Sequence, residues 1–307
     1  MNIVYLGTPD FAVLPLKTIL ENTNHKVVAV ITNPDRPVGR KQVLTPPPVK
    51  VLATEKGIPV YQFNKIRLEG VEILKSLNAD LFITCAFGQI LSQEILDLPK
   101  LGVINIHASL LPKYRGASPI HFAILNGEKT TGITIMKTDI GIDTGDILLQ
   151  KEIDIKNDET CGELFDKLSS VGAESILEAL SVIENGQAVY IKQDEEKATL
   201  TKIIKKEMAL IDWNKDNTYV YNQIRAFNPA PICYTMLDGE PFKIYKAEIC
   251  DMQGESGVVL QADDKLIVGC GKGSLSLVTV QKAGGKPLGV EDFLRGNKLN
   301  IGKKLGV

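Results

Sequence analysis

Two rhythms of apolar and polar positions alternate along the first 190 residues. Short β-branched runs at 3–6, 27–32, 81–86, 103–107, 132–137 and 146–155 predict strands. Stretches with apolar residues every three or four positions predict helices at 12–21, 47–56, 68–78, 92–96 and 119–126, and a long one at 160–185. Strand–helix alternation of this kind implies a Rossmann-like, parallel-rich sheet with helices on both faces. The first turn, Gly7-Thr8-Pro9-Asp10, lacks the G-x-G-x-x-G fingerprint, so the sheet need not hold a dinucleotide.

The texture changes after residue 190. Residues 191–206 are charged and poor in aromatics, and read as a linker. A helical pattern within 207–227 ends at Asn228-Pro229-Ala230-Pro231, and five short strands follow at 233–237, 242–247, 257–261, 265–269 and 274–280. Their spacing suggests a small OB-like antiparallel β-barrel over 207–307. The expected plan is therefore a catalytic domain (1–190), a linker (191–206) and a C-terminal domain (207–307).

Composition narrows the class. The net charge is −2, yet the acidic excess lies in the first two-thirds and the basic excess in the last third, a possible footprint for a polyanion. No apolar run is long enough to span a membrane, and no basic segment precedes the first strand, so a cytoplasmic location is expected. The five cysteines are scattered without a C-x-x-C, which argues for reduced thiols and against a zinc site. Two segments look like binding loops. Residues 33–48 (NPDRPVGRKQVLTPPP) are rich in proline, carry Arg36, Arg40 and Lys41, and show neither helical nor strand periodicity. Residues 108–118 (ASLLPKYRGAS) follow a strand and precede a helix.

Histidine is scarce, with three in the chain. His25 sits in a polar turn and His121 on the first turn of a helix, whereas His107 closes an apolar strand. Period-two alternation puts Asn105 on the same face as His107, at the end of the strand where open α/β sheets bind ligands. From the residues alone, a buried structural pair and a pair for acyl-group chemistry are equally open. Residues 139–146 (DIGIDTGD) add three carboxylates; a turn is one reading, and a calcium loop is disfavoured because the bidentate Glu is missing.

Asn105-Ile106-His107, followed by Ser109-Leu110-Leu111-Pro112 and by Asp143 within Asp143-Thr144-Gly145-Asp146, resembles the signature of the folate-dependent formyltransferases. Gly7-Thr8-Pro9-Asp10-Phe11-Ala12, Pro34-Asp35-Arg36-Pro37 with Gly39-Arg40, and Arg225-Ala226-Phe227-Asn228-Pro229 extend the resemblance into both domains, toward the branch that acts on methionyl-tRNA. The resemblance implies transfer of a formyl group from 10-formyltetrahydrofolate to the α-amino group of methionyl-initiator tRNA, without a metal and by a monomer. It assigns catalysis to Asn105, His107 and Asp143. Ser109, Leu110, Leu111 and Pro112 would shape the folate site, with Phe87, Gly88, Gln89, Ile90, Leu91 and the backbone of 138–143 near the pterin. Arg40, with Arg36 and Lys41, would reach the tRNA acceptor end, and the second domain would hold the tRNA stem. A relative acting on an amino-sugar nucleotide is the alternative with the same chemistry; a non-catalytic tRNA-binding protein is the alternative of another class.

Overall fold

The computed structural model describes residues 1–39 and 41–306, so Arg40 lies outside the described residues. The chain divides into two compact units. The first comprises Met1–Gly116, Thr130–Ile153 and Phe165–Leu200; the second comprises Ala117–Lys129, Asp154–Leu164 and the chain from Thr201 onward. Segments 117–129 and 154–164 thus belong with the C-terminal residues, although a linear reading puts them in the first domain.

The first unit is built on seven strands: β1 (Asn2–Gly7), β2 (Lys26–Thr32), β3 (Val60–Gln62), β4 (Leu81–Cys85), β5 (Val103–His107), β6 (Thr130–Lys137) and β7 (Ile147–Asp154). Their order is β7-β6-β5-β4-β1-β2-β3. The pairs from β3 through β5 are parallel and β6 runs antiparallel to β5. The parallel-rich sheet is as expected, with the short β3 an element that its composition did not reveal. Residues on both alternations of β1 are buried, Val4 and Leu6 on one face and Ile3 and Tyr5 on the other. A parallel strand covered on both sides shows this continuous apolar pattern. One face packs Val4, Leu6, Ala29, Ile31, Phe82 and Val103 against Phe63, Ile66, Leu74 and Ile95.

Three local expectations change. The helix read over 68–78 is two short helices, Ile66–Glu69 and Val71–Ser76, joined at Gly70, where a Cβ would press on Ile66. The loop 33–48 contains a small hairpin, Arg36–Val38 paired with Val43–Thr45, turning at Gly39 with φ +72°. Prolines and polar residues hid it. Its base is tied by Asp35, which accepts from Lys50 Nζ at 2.8 and 2.9 Å and from Gln62 Nε2 at 2.9 Å. The Lys50 ammonium holds the Asp35 carboxyl below its ordinary pKa. Finally, residues 193–199 are not a free linker: Thr199 accepts from the Tyr114 N–H through Oγ1 and from the Arg115 N–H through its carbonyl, both at 2.8 Å.

The second unit carries the expected antiparallel sheet, with strands β8 (Cys233–Leu237), β9 (Glu240–Cys250), β10 (Val259–Ala262), β11 (Leu266–Gly269) and β12 (Ser274–Gln281) in the order β8-β9-β12-β11-β10. Its helix Asn217–Ala226 lies within the pattern read over 207–227, and the Asp216 side chain caps its start by accepting from Tyr219 N–H at 2.8 Å. Arg225 is buried, and its guanidinium donates to Asn222 Oδ1 and to the Glu159 carbonyl. The basic C-terminal stretch is partly neutralised: Arg295 pairs with Asp292, Lys303 with Asp238 and Lys304 with Glu255.

Phe82, 1 % exposed at the centre of the first sheet's core, should be among the costliest truncations. Phe82→Ala is expected to lower unfolding free energy by about 3–5 kcal/mol, read from urea unfolding of the first unit's transition.

Candidate active site

The site grows from β5. Alternation aims Asn105 and His107 to one side, and the register sets Thr84 of β4 beside Asn105. Thr84 Oγ1 donates to Asn105 Oδ1 at 2.9 Å. That bond turns the amide nitrogen outward, where Nδ2 faces Asp143 Oδ1 at 3.4 Å. One amide hydrogen meets the carboxylate and the other is left for a ligand.

His107 is 6 % exposed. Its Nε2 lies 3.0 Å from the Tyr114 carbonyl oxygen, which can only accept, so Nε2 carries a proton. Nδ1 faces Asp143 Oδ2 at 3.5 Å. The ring is thereby held between the Tyr114 carbonyl and the Asp143 carboxylate.

Asp143 completes the cluster from the connection between β6 and β7. Its φ is +53°, a left-handed conformation that Asp tolerates better than most residues. Oδ2 also accepts the Gly116 N–H at 2.7 Å. The connection is braced from within: Asp139 accepts from Gly141 N–H at 3.0 Å and from Thr144 Oγ1 at 2.7 Å. Gly145 packs so closely on the Lys137 carbonyl that no Cβ fits there.

The segment 109–112 is sewn to β6 and β7. Ser109, fully buried, donates its hydroxyl to the Lys113 carbonyl at 2.7 Å, and Thr134 Oγ1 bridges the Ser109 carbonyl and the Leu111 N–H. Gln150 Nε2 donates to the Leu111 carbonyl at 2.8 Å. Ser109 and Leu111 therefore fix the loop's shape, while Leu110 and Pro112 are half-buried. Among residues 87–91, Phe87 and Leu91 belong to the hydrophobic core. The Gln89 carboxamide is fully used, accepting from Ile66 N–H and donating to Asn33 Oδ1 and the Phe63 carbonyl, so it has no group free for a ligand. Gly88 and the exposed Ile90 are the ones that face outward. Arg36 and Lys41 are exposed on the hairpin; Arg40 lies outside the described residues.

Three supporting groups escape a reading of the sequence: Thr84, the Tyr114 carbonyl and the Gly116 N–H. The first needs the register of two strands, and the other two are backbone groups. No thiol competes as a nucleophile beside them, since burial pushes the Cys85 pKa up to about 12.

A Rossmann-like sheet that brings an amide, an imidazole and a carboxylate together defines a class, and two family models agree with it. The formyl transferase model matches residues 1–180 and the formyl transferase C-terminal domain model matches residues 203–298. This chain belongs to the formyl transferase family. It is 46% identical to the methionyl-tRNA formyltransferase of Geobacter metallireducens over 308 residues, covering 100% of this chain and 99% of that protein. Identity to the methionyl-tRNA formyltransferase of Bacillus licheniformis is 47% over 310 residues, covering 99% of this chain and 98% of that one. Among solved structures, an N-formyltransferase from Helicobacter canadensis in complex with folinic acid and dTDP-3-aminofucose shares the fold. Its TM-score is 0.68 at 23% identity, over 92% of this chain and 99% of that one.

A methyl group at Gly145 would drive the Asp143 connection off the Lys137 carbonyl. Gly145→Ala should therefore cut formyl-transfer activity by about 10²-fold through displacement of the carboxylate, while circular dichroism of the sheet stays that of the parent.

Proposed function

We propose that this chain transfers the formyl group of 10-formyltetrahydrofolate to the α-amino group of methionyl-initiator tRNA in the cytoplasm. The observation carrying this reading is the convergence of Asn105, His107 and Asp143 in a chain that matches methionyl-tRNA formyltransferases along its whole length.

The residues fit such a donor. The half-buried Leu110 and Pro112 and the exposed Ile90 and Ile142 offer apolar surface to a flat ring, and the buried Thr138 hydroxyl, which has no partner, offers a polar edge. When bound, the donor supplies an activated formyl carbon. The chemistry left to the protein is charge management. The free Asn105 Nδ2–H donates to the oxygen that gains negative charge as the amine adds. An α-amino group has an ordinary pKa of about 7.7–8.0, so much of it is available neutral near pH 7.5. His107 Nδ1 accepts the proton that this nitrogen sheds and Asp143, 3.5 Å away, stabilises the resulting imidazolium; as the carbon–nitrogen bond to the donor breaks, that proton passes to the departing folate nitrogen and tetrahydrofolate leaves. No side chain here is placed as a nucleophile: Ser109 is buried and bonded to Lys113, so transfer is direct.

Arg36, Lys41 and Arg40 on the loop 33–48 are assigned to tRNA phosphates, as is the remaining basic surface of the second unit. Such contacts weaken as salt rises.

The decisive assay mixes the protein with 10-formyltetrahydrofolate and charged initiator tRNA. Formylmethionyl-tRNA is the expected product; formylation of an amino-sugar nucleotide in its place would overturn the reading. In the same assay Asn105→Ala should lower kcat by about 10²–10³-fold, the usual cost of one oxyanion donor. Activity equal to the parent would instead point to a tRNA-binding protein without catalysis. Rapid-quench mixing with labelled donor should trap no formylated protein.

A further inference from the structure

Gln193 stands in a charged segment that composition marks as connection, yet its carboxamide is fully bonded at the rim of the site. Nε2 donates to the Asp143 carbonyl at 2.8 Å and to the Gly145 carbonyl at 2.7 Å. Oε1 accepts from Arg115 Nε at 3.0 Å and Nη2 at 2.9 Å. The orientation of the amide is unambiguous, because a carbonyl oxygen can only accept and a guanidinium can only donate. Arg115 is itself held in a two-bond pair with Glu195, at 2.8 Å from Nη1 and 2.6 Å from Nη2. Its own chain neighbour, Gly116, donates to the Asp143 carboxylate. The two sides of the Asp143 residue, backbone and carboxylate, are thus fixed by one continuous set of bonds running from Glu195 through Arg115.

Asp143 needs such fixing. A left-handed φ at a residue with a side chain costs of order 1 kcal/mol or more, and it persists only where surrounding bonds over-determine it. The internal bonds from Asp139 brace Gly141 and Thr144 but leave the Asp143 carbonyl to Gln193. We propose that Gln193, oriented by Arg115, is the positioning residue that holds Asp143 in register with Asn105 and His107. Gln193 touches no reacting atom. Its effect reaches the chemistry only through the placement of the carboxylate, so it belongs to the rate of the chemical step and not to the binding of either substrate. For that rate effect the proposal rests on the formyl-transfer reading above.

Two near-isosteric variants separate the possibilities. Gln193→Glu keeps the shape and the Arg115 contact but sets a carboxylate oxygen against two carbonyl oxygens. Gln193→Met deletes the two donated bonds together with the two accepted from Arg115, without adding a charge, and serves if the first variant folds poorly. Both are expected to lower kcat by about 10- to 100-fold, with KM for 10-formyltetrahydrofolate and for charged tRNA unchanged and Gln193→Glu the more damaging. In parallel, hydrogen exchange read by NMR should show the Gly116 amide losing protection, while the Ile104 and Ile106 amides of β5 keep theirs. An unchanged kcat, or a loss carried by KM of either substrate, would overturn the proposal, as would undiminished protection at Gly116. The exchange measurement needs no substrate. If the parent protein formylates nothing, the functional reading fails while the clamp is still judged by the Gly116 amide.

Discussion

The site depends on one carboxylate kept where several donors can reach it. Asp143 meets the Gly116 N–H, the His107 ring and the Asn105 amide, and each of these has a second bond that fixes it from behind. Thr84 turns the amide, the Tyr114 carbonyl sets the ring's tautomer, and the short 115–116 strand presents the N–H. A charge so surrounded can stabilise an imidazolium without rearrangement during reaction, and that readiness is what makes electrostatic catalysis efficient.

The supporting architecture follows from the same demand. A parallel sheet buried on both faces gives β4 and β5 a rigid register, so Thr84 and Asn105 meet without any adjustable loop between them. The carboxylate of the cluster comes from elsewhere, because a strand cannot turn a third side chain inward at the same level. It arrives on a connection braced by Asp139, with a glycine at position 145 because any side chain there would strike the Lys137 carbonyl. Rigidity is thus supplied by strands where strands can provide it and by side-chain hydrogen bonds where they cannot.

Much of this was legible in the chain. The β-branched runs marked β1, β2, β4, β5, β6 and β7, and period-two alternation was enough to put Asn105 and His107 on one face. The nearness of Asp143 came from family likeness, since no periodicity connects residues 107 and 143. What stayed hidden has common physical causes. The hairpin of 36–38 and 43–45 has a proline in its first strand and exposed side chains in both, so it lacks the apolar alternation of a half-buried strand. Gln89 looked like a pocket residue, but its amide is consumed by three backbone and side-chain partners that only the folded chain brings near. Gln193 lies among Lys, Asp and Glu, and polar composition says nothing about whether a side chain is hydrogen-bonded or free.

The chain path carries a practical consequence of its own. The polypeptide passes from one compact unit to the other after Gly116, Lys129, Ile153, Leu164 and Leu200. No single cut, at residue 190 or anywhere else, releases two self-sufficient halves: a fragment ending there would keep 117–129 and 154–164 without the helix Asn217–Ala226 they fold with, exposing Ile120 and Ile124 to water. A swap of C-terminal domains between relatives would have to carry the two embedded segments along with it.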